Sequence, residues 1–405
     1  MYINRSMEKT VLSIQNSFPV LLITGPRQVG KTTMLKKLSN ESRRYVTLDD
    51  PLLRELAVLD PALFLQRFEP PVIIDEIQYA PELLPYIKMY VDENRHNGDF
   101  WLTGSQMFHL MKNASESLAG RIGIINMLGL SNNEIMNQVS IPFTTKPEEI
   151  MKKLKLTKHL KLNEIFKIIY KGSMPALHAN ENVSTDIFFS SYVQTYLQRD
   201  VKHLTQVGDE LSFLRFLSSV AARTGQMVNY AEMAKDTGIS APTAKQWLSI
   251  LVTSGIIVLI EPYFNNALKR IIKSPKMYFL DTGLCAYLTK WTTPEVLEAG
   301  AMSGAFFESW IVSEIFKSYY NAGKRPLIYY YRDKDQREID LIIHENDTLY
   351  PIEIKKSGNP SKDAIKHFNV LANTNVKIGN GSVICLSNDL LPIDKKNWFV
   401  PAWLI

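Results

Sequence analysis

Residues 25–32 read Gly-Pro-Arg-Gln-Val-Gly-Lys-Thr, the spacing of a phosphate-binding loop. Gly25 and Gly30 permit backbone conformations that aim N–H groups inward at phosphate oxygens. Pro26, Arg27, Gln28 and Val29 complete the turn between them. Lys31 can reach β- and γ-phosphates, Thr32 can ligate magnesium, and Thr33 continues a helix whose N-terminus favours the anion. Downstream, Val-Ile-Ile-Asp-Glu at 72–76 brings Asp75 to the end of an apolar run. There it can hold magnesium through water, and Glu76 can polarise an attacking water. ATP and Mg2+ are the expected cofactors.

A further apolar run, 99–105, ends in Thr103-Gly104-Ser105. Ser105 is the choice for sensing the γ-phosphate, with Thr103 and Gln106 as competitors; capping a helix is the alternative role. Arg121, in Leu-Ala-Gly-Arg, is a candidate for neutralising transition-state charge. It would act in cis or across a subunit boundary of a homo-oligomer. A plain surface position is its alternative.

A second constellation lies near the C-terminus. Strand-like 337–345 and 349–356 flank Asn346-Asp347, a pair suited to a two-residue hairpin turn. Such a turn pairs 345 with 348 and brings Asp340 opposite Glu353. Lys355, two residues on, shares that face. Two carboxylates at that distance would bind magnesium. Glu308, on the preceding helix, can complete the site, and Lys355 would stabilise or deprotonate a metal-bound water. A slip of one residue would place one carboxylate on the other face. An exposed charged hairpin is the bland alternative.

The third feature is a helix-turn-helix pattern at 230–255. Gly238 stops one helix, Ser240 caps the next with Pro242 in its first turn, and Gly255 ends it. Strands at 255–264 and 276–281 would form a wing. Between them Lys269, Arg270, Lys273 and Lys276 occur with no acid from 262 to 280, which suits phosphate contacts. Lys245 is the evident basic residue of the second helix. DNA is the expected partner, and a protein–protein module is the alternative.

The elements that must position these residues define an α/β chain. Alternating strands and helices over 18–130 imply a parallel sheet with helices on its faces. The expected divisions are 1–130, an ATPase core; 131–205, a helical subdomain; 206–298, a winged helix; and 299–405, a further α/β unit. The 405 residues are 45% hydrophobic and 21% charged, the balance of a folded chain. The longest uncharged run, Thr10 to Pro26, is interrupted by Ser13, Gln15, Asn16 and Ser17, so no membrane span is expected. Two cysteines make no disulfide framework. A cytoplasmic location is expected. Net charge, +5 from 46 basic and 41 acidic residues, gives no global reason to expect nucleic acid.

Nearly the whole chain resembles bacterial and archaeal AAA-type ATP-binding proteins with a C-terminal domain of unknown function. The carrying strings are FPVLLITGPRQVGKTT, VIIDEIQYAPELL, FWLTGSQ, LAGRIG, YLQRDVKHL, KSPKMYFLDTGL, FFESWIVSEI, YYYRDKDQREIDLII and PIEIKKS. The resemblance implies an AAA-type ATPase core, a winged helix and a restriction-endonuclease-like fold of the PD-(D/E)XK type. In that superfamily the matching positions are Glu308, Asp340, Glu353 and Lys355. The leading expectation is an ATP-hydrolysing, DNA-associated machine. The rivals are an ATP-dependent switch signalling to a protein through the winged helix, and an ATP-gated, metal-dependent nuclease.

Overall fold

The computed structural model describes residues 2–104, 117–138, 141–196, 210–264 and 274–405. Ser105, Gln106, Lys269, Arg270 and Lys273 lie outside the described residues.

Five short strands form the first sheet: β1 (Val20–Thr24), β2 (Arg44–Thr47), β3 (Val72–Asp75), β4 (Phe100–Gly104) and β5 (Ile122–Asn126). All pairings are parallel, in the order β2-β3-β4-β1-β5. Strands β1, β3 and β4 are buried along their whole length, as near-continuous apolar runs must be when helices cover both faces. Alternation divides them between two cores. Leu21 and Ile23 pack with Met34 and Leu35 of the helix Lys31–Leu38. Val20 and Leu22 pack with Leu84 and Ile87 of the helix Leu83–Asn94. Because the strands are parallel, Thr24, Asp75 and Gly104 end at one edge of the sheet.

Among the described residues of 131–196 the regular elements are the helices Asn132–Ile135, Pro147–Leu154, Leu162–Lys171, Pro175–Ala179 and Thr185–Tyr196. Helices Glu210–Ala221, Tyr230–Thr237 and Ala241–Thr253 follow. The turn between the last two is built by Gly238 at φ 70° and by Ser240, whose side chain accepts from the Thr243 N–H. Trp247 packs on Phe213 and Phe216 with ring centroids 5.1 and 5.5 Å away, edge to face, each pair contributing ~0.5–1.5 kcal/mol beyond burial.

Strands β6 (Ile257–Pro262) and β7 (Lys276–Phe279) pair antiparallel, Ile260 opposite Lys276. They do not stand apart. Strand β6 pairs in parallel with β8 (Ile328–Arg332), which leads into β9 (Glu338–Glu345), β10 (Thr348–Lys355), β11 (Lys377–Ile378), β12 (Gly381–Cys385), β13 (Leu391–Pro392) and β14 (Asn397–Pro401). The sheet has nine strands, ordered β13-β14-β12-β10-β9-β8-β6-β7 with β11 on β10. Strand pairing therefore crosses the 298/299 boundary expected from sequence. The helix Ser303–Asn321 packs against β7 and β10. Among the described residues no helix is long and apolar enough to cross a membrane.

Candidate functional site

The phosphate-loop pattern occupies the turn from β1 into the helix Lys31–Leu38. Gly25 sits at φ 138°, where an added Cβ would lie 2.0 Å from the Met127 carbonyl oxygen, so no side chain is admissible. Gly30 is left-handed at φ 93° and Gln28 at 61°. Lys31 is buried and donates to the carbonyls of Gly25 (2.9 Å) and Pro26 (2.7 Å). Thr32 Oγ1 donates to Asp75 Oδ1 at 2.8 Å, so β3 brings its carboxylate to the loop. Thr103, from β4 between β1 and β3, donates to the same oxygen and accepts from the Glu76 N–H at 3.2 Å. The Tyr45 hydroxyl donates to Asp75 Oδ2 at 2.9 Å. Burial, followed by the charge of Asp75, pushes the Tyr45 phenol well up. Glu76 is left-handed at φ 59° and accepts from Gln78 Nε2.

A threonine hydroxyl and a carboxylate at hydrogen-bond distance form a hard oxygen set, which fits magnesium. Beside the loop, Tyr2, Ile3, Thr33, Pro175, Ala176 and Ala179 help line a cavity of about 190 Å³. Two contributors have no sequence signature. Tyr45 is one. Arg5 is the other; it donates to the Val29 carbonyl at 2.8 Å and to that of Leu128 at 2.7 Å, and pairs with buried Glu134 at 3.2 Å.

Arg121 is elsewhere. Its carbonyl accepts from the Val20 N–H at the start of β1, opposite the loop end, and its side chain bonds Asp92 and the Ala119 carbonyl. A five-residue strand at ~3.3 Å per residue separates it from the phosphate loop. This placement does not fit a cis role and leaves the trans role and the plain surface position open.

The hairpin β9–β10 has the register expected from its turn. Asn346 (φ 48°) and Asp347 (φ 52°) are both left-handed, as a two-residue type I′ turn requires. Glu345 pairs with Thr348 and the ladder continues to Leu341 with Ile352. Asp340 and Glu353 are the next positions, both buried. Asp340 Oδ2 accepts from the Ile354 N–H at 2.8 Å, and Glu353 Oε1 from Lys355 at 2.5 Å. Glu308 Oε1 accepts from the Tyr278 hydroxyl at 2.6 Å.

Lys276, expected on a basic wing, is instead buried in this cluster, a correction to its expected contact with DNA. Its ammonium lies 3.6 Å from Glu308 Oε1 and 3.9 Å from Asp340 Oδ1, and pairs with Glu338. The register reasoning missed Glu338 and Tyr278 as members of the cluster. Burial, then the charge of Asp340, pushes Glu308 up to about 7 and Glu353 to about 8. Burial raises Asp340 as well. For Lys276 burial works downward, but Glu308, Asp340 and Glu338 outweigh it and raise the ammonium's pKa. Among the described residues no group of three or more His, Cys, Asp or Glu is arranged to hold a metal ion. Glu308, Asp340 and Glu353 each accept a hydrogen bond from a protein donor. Lys245 is exposed on the helix Ala241–Thr253.

Three families match in series. Residues 17–136 match the AAA domain family, 162–295 a domain of unknown function (DUF8612), and 303–405 another (DUF4143). Uncharacterized proteins of Mycobacterium bovis and Mycobacterium tuberculosis are each 28% identical over 344 residues, covering 85% of this chain and 71% of theirs. A Walker-type ATPase of Pyrococcus abyssi aligns over 71% of this chain and 96% of its own, at 14% identity and a TM-score of 0.46. The family match and the phosphate loop on its parallel sheet make residues 17–136 an AAA-type ATPase domain.

Proposed function

We propose that the chain hydrolyses Mg2+–ATP at the 25–32 loop and transmits the nucleotide state to a winged-helix unit that contacts DNA. The hydrogen bond between Thr32 and Asp75 carries the nucleotide part, because it brings a magnesium-ligand pair onto a lysine-bearing phosphate loop. Thr32 and Asp75 would hold the ion, which neutralises charge on the phosphoryl oxygens. Lys31 turns from the Gly25 and Pro26 carbonyls to the phosphates. Glu76 leaves Gln78 and takes the proton of the attacking water. The cavity beside Gly30 and Thr33 suits the base.

The DNA part rests on the helix-turn-helix followed by an antiparallel strand pair, with Lys245 and Gln246 exposed on the second helix. Gly255, just past that helix, abuts Pro26 of the loop; a Cβ there would lie 2.9 Å from Pro26 Cγ. That contact equally supports a switch that signals to a protein. The β9–β10 register supports a PD-(D/E)XK-like fold for the C-terminal unit.

The deciding measurement is ATP turnover with and without double- and single-stranded DNA, for the parent and Lys245→Ala. DNA is expected to change the parent's rate, and Lys245→Ala to reduce the effect. A parent that neither binds DNA at low salt nor changes its turnover would replace the DNA reading with the protein switch.

A further inference from the structure

The acidic cluster of the C-terminal unit already has a cation. The Lys276 side chain is only 5% exposed, and burying an ammonium is unfavourable unless it is paired and hydrogen-bonded. Glu308, Glu338 and Asp340 supply that pairing. Strand pairing dictates the meeting. Lys276 is opposite Ile260 on β6, β6 is beside β8, and β8 is beside β9, which carries Glu338 and Asp340. Tyr278, two residues along β7 and so on the same face, reaches Glu308. Other carboxylate oxygens are also engaged: Asp340 Oδ2 accepts from the Ile354 N–H and Glu353 Oε1 from Lys355.

We propose that Lys276 is the resident cation of this cluster, its ammonium taking the place that a divalent metal would need. The cluster is then an ion-pair latch holding the β6–β7 hairpin to the sheet of β9 and β10. A divalent ion close enough to bind Asp340 and Glu308 would meet the ammonium within the same few ångströms and must displace it. Solvent access is not the obstacle. A cleft of about 1200 Å³ between residues 225–232 and 330–338 is lined by both Lys276 and Glu338.

The test is Mn2+ binding to the full nucleotide-free chain, followed by the loss of the free-ion electron paramagnetic resonance signal. Asp340→Asn serves as the subtraction, which cancels any ion at the phosphate loop. The parent and Asp340→Asn are expected to bind the same number of ions. Lys276→Met, which keeps the stem and removes the charge, is expected to gain one ion per chain. Lys276→Met/Asp340→Asn should lose that ion. An Asp340-dependent ion in the parent overturns the proposal, as does a folded Lys276→Met that gains none. If Lys276→Met does not fold, Lys276→Arg keeps the question decidable. A folded Lys276→Arg with no Asp340-dependent ion supports a resident cation, whereas an unfolded one, or one that binds the ion, overturns it.

Discussion

Asp75 accepts hydrogen bonds from Thr32, Thr103 and Tyr45, so its carboxylate is held by hydroxyls from three elements before any metal arrives. Hydrogen bonds to a charged acceptor contribute ~1.5–3 kcal/mol each, enough to keep both oxygens oriented. Lys31 donates to loop carbonyls and Glu76 is engaged by Gln78, contacts that the proposed roles would require both side chains to leave. Lys31→Ala is expected to lose nucleotide binding, read with a fluorescent ATP analogue. Glu76→Gln should bind ATP and retain it uncleaved, because the water loses its proton acceptor. Turnover by Glu76→Gln at the parent's rate would remove Glu76 from the base role.

At the scale of elements, two left-handed glycines flank the second helix of the helix-turn-helix, and they differ in what surrounds them. Gly238 and Gly255 both sit at φ 70°, but nothing lies within 4 Å of a Cβ on Gly238, while one on Gly255 meets Pro26. An alanine at either position carries the ~1–2 kcal/mol strain of left-handed backbone. Only Gly255→Ala also presses on the phosphate loop. Both variants are expected to be less stable by thermal denaturation, and only Gly255→Ala to show weakened nucleotide affinity. Equal affinities in the two would mean that the contact carries no nucleotide signal.

At the scale of the molecule, Arg121 and the phosphate loop occupy opposite ends of one sheet. An arginine so placed reaches a phosphate only on a neighbouring copy of the chain. Arg121→Ala is expected to slow turnover by ~10³-fold, the usual scale for such an arginine. Mixing Arg121→Ala with Glu76→Gln should restore part of the activity, since each supplies what the other lacks. No recovery on mixing, with turnover of Arg121→Ala unchanged, would make Arg121 a surface residue paired with Asp92. The Arg5–Glu134 pair has a different reach. It joins the N-terminal segment to the loop carbonyl of Val29, and Glu134 accepts from Asn321 at the end of the long C-terminal helix at 3.4 Å.

Much of both sites was legible where chemistry and local geometry coincide. Two glycines and a lysine at fixed spacing specify a phosphate loop, and three apolar residues followed by Asp75 specify a buried strand with its acid at the tip. The β9–β10 register followed from Asn346-Asp347, because a two-residue turn leaves one pairing and alternation then assigns the faces. Tertiary structure decided everything that depends on which elements meet. The order β2-β3-β4-β1-β5 put Tyr45 and Thr103 on Asp75, although neither stands near it in the chain. It also sent Arg121 to the far end of β1, since parallel strands separate their starts from their tips. Lys276 stands in a basic stretch of sequence, which suggests an exposed position. Its partners Glu308, Glu338 and Asp340 come from a later helix and strand, and a buried ammonium is set by the charges packed around it in space. Periodicity reports which residues share a face, and only packing reports what that face meets.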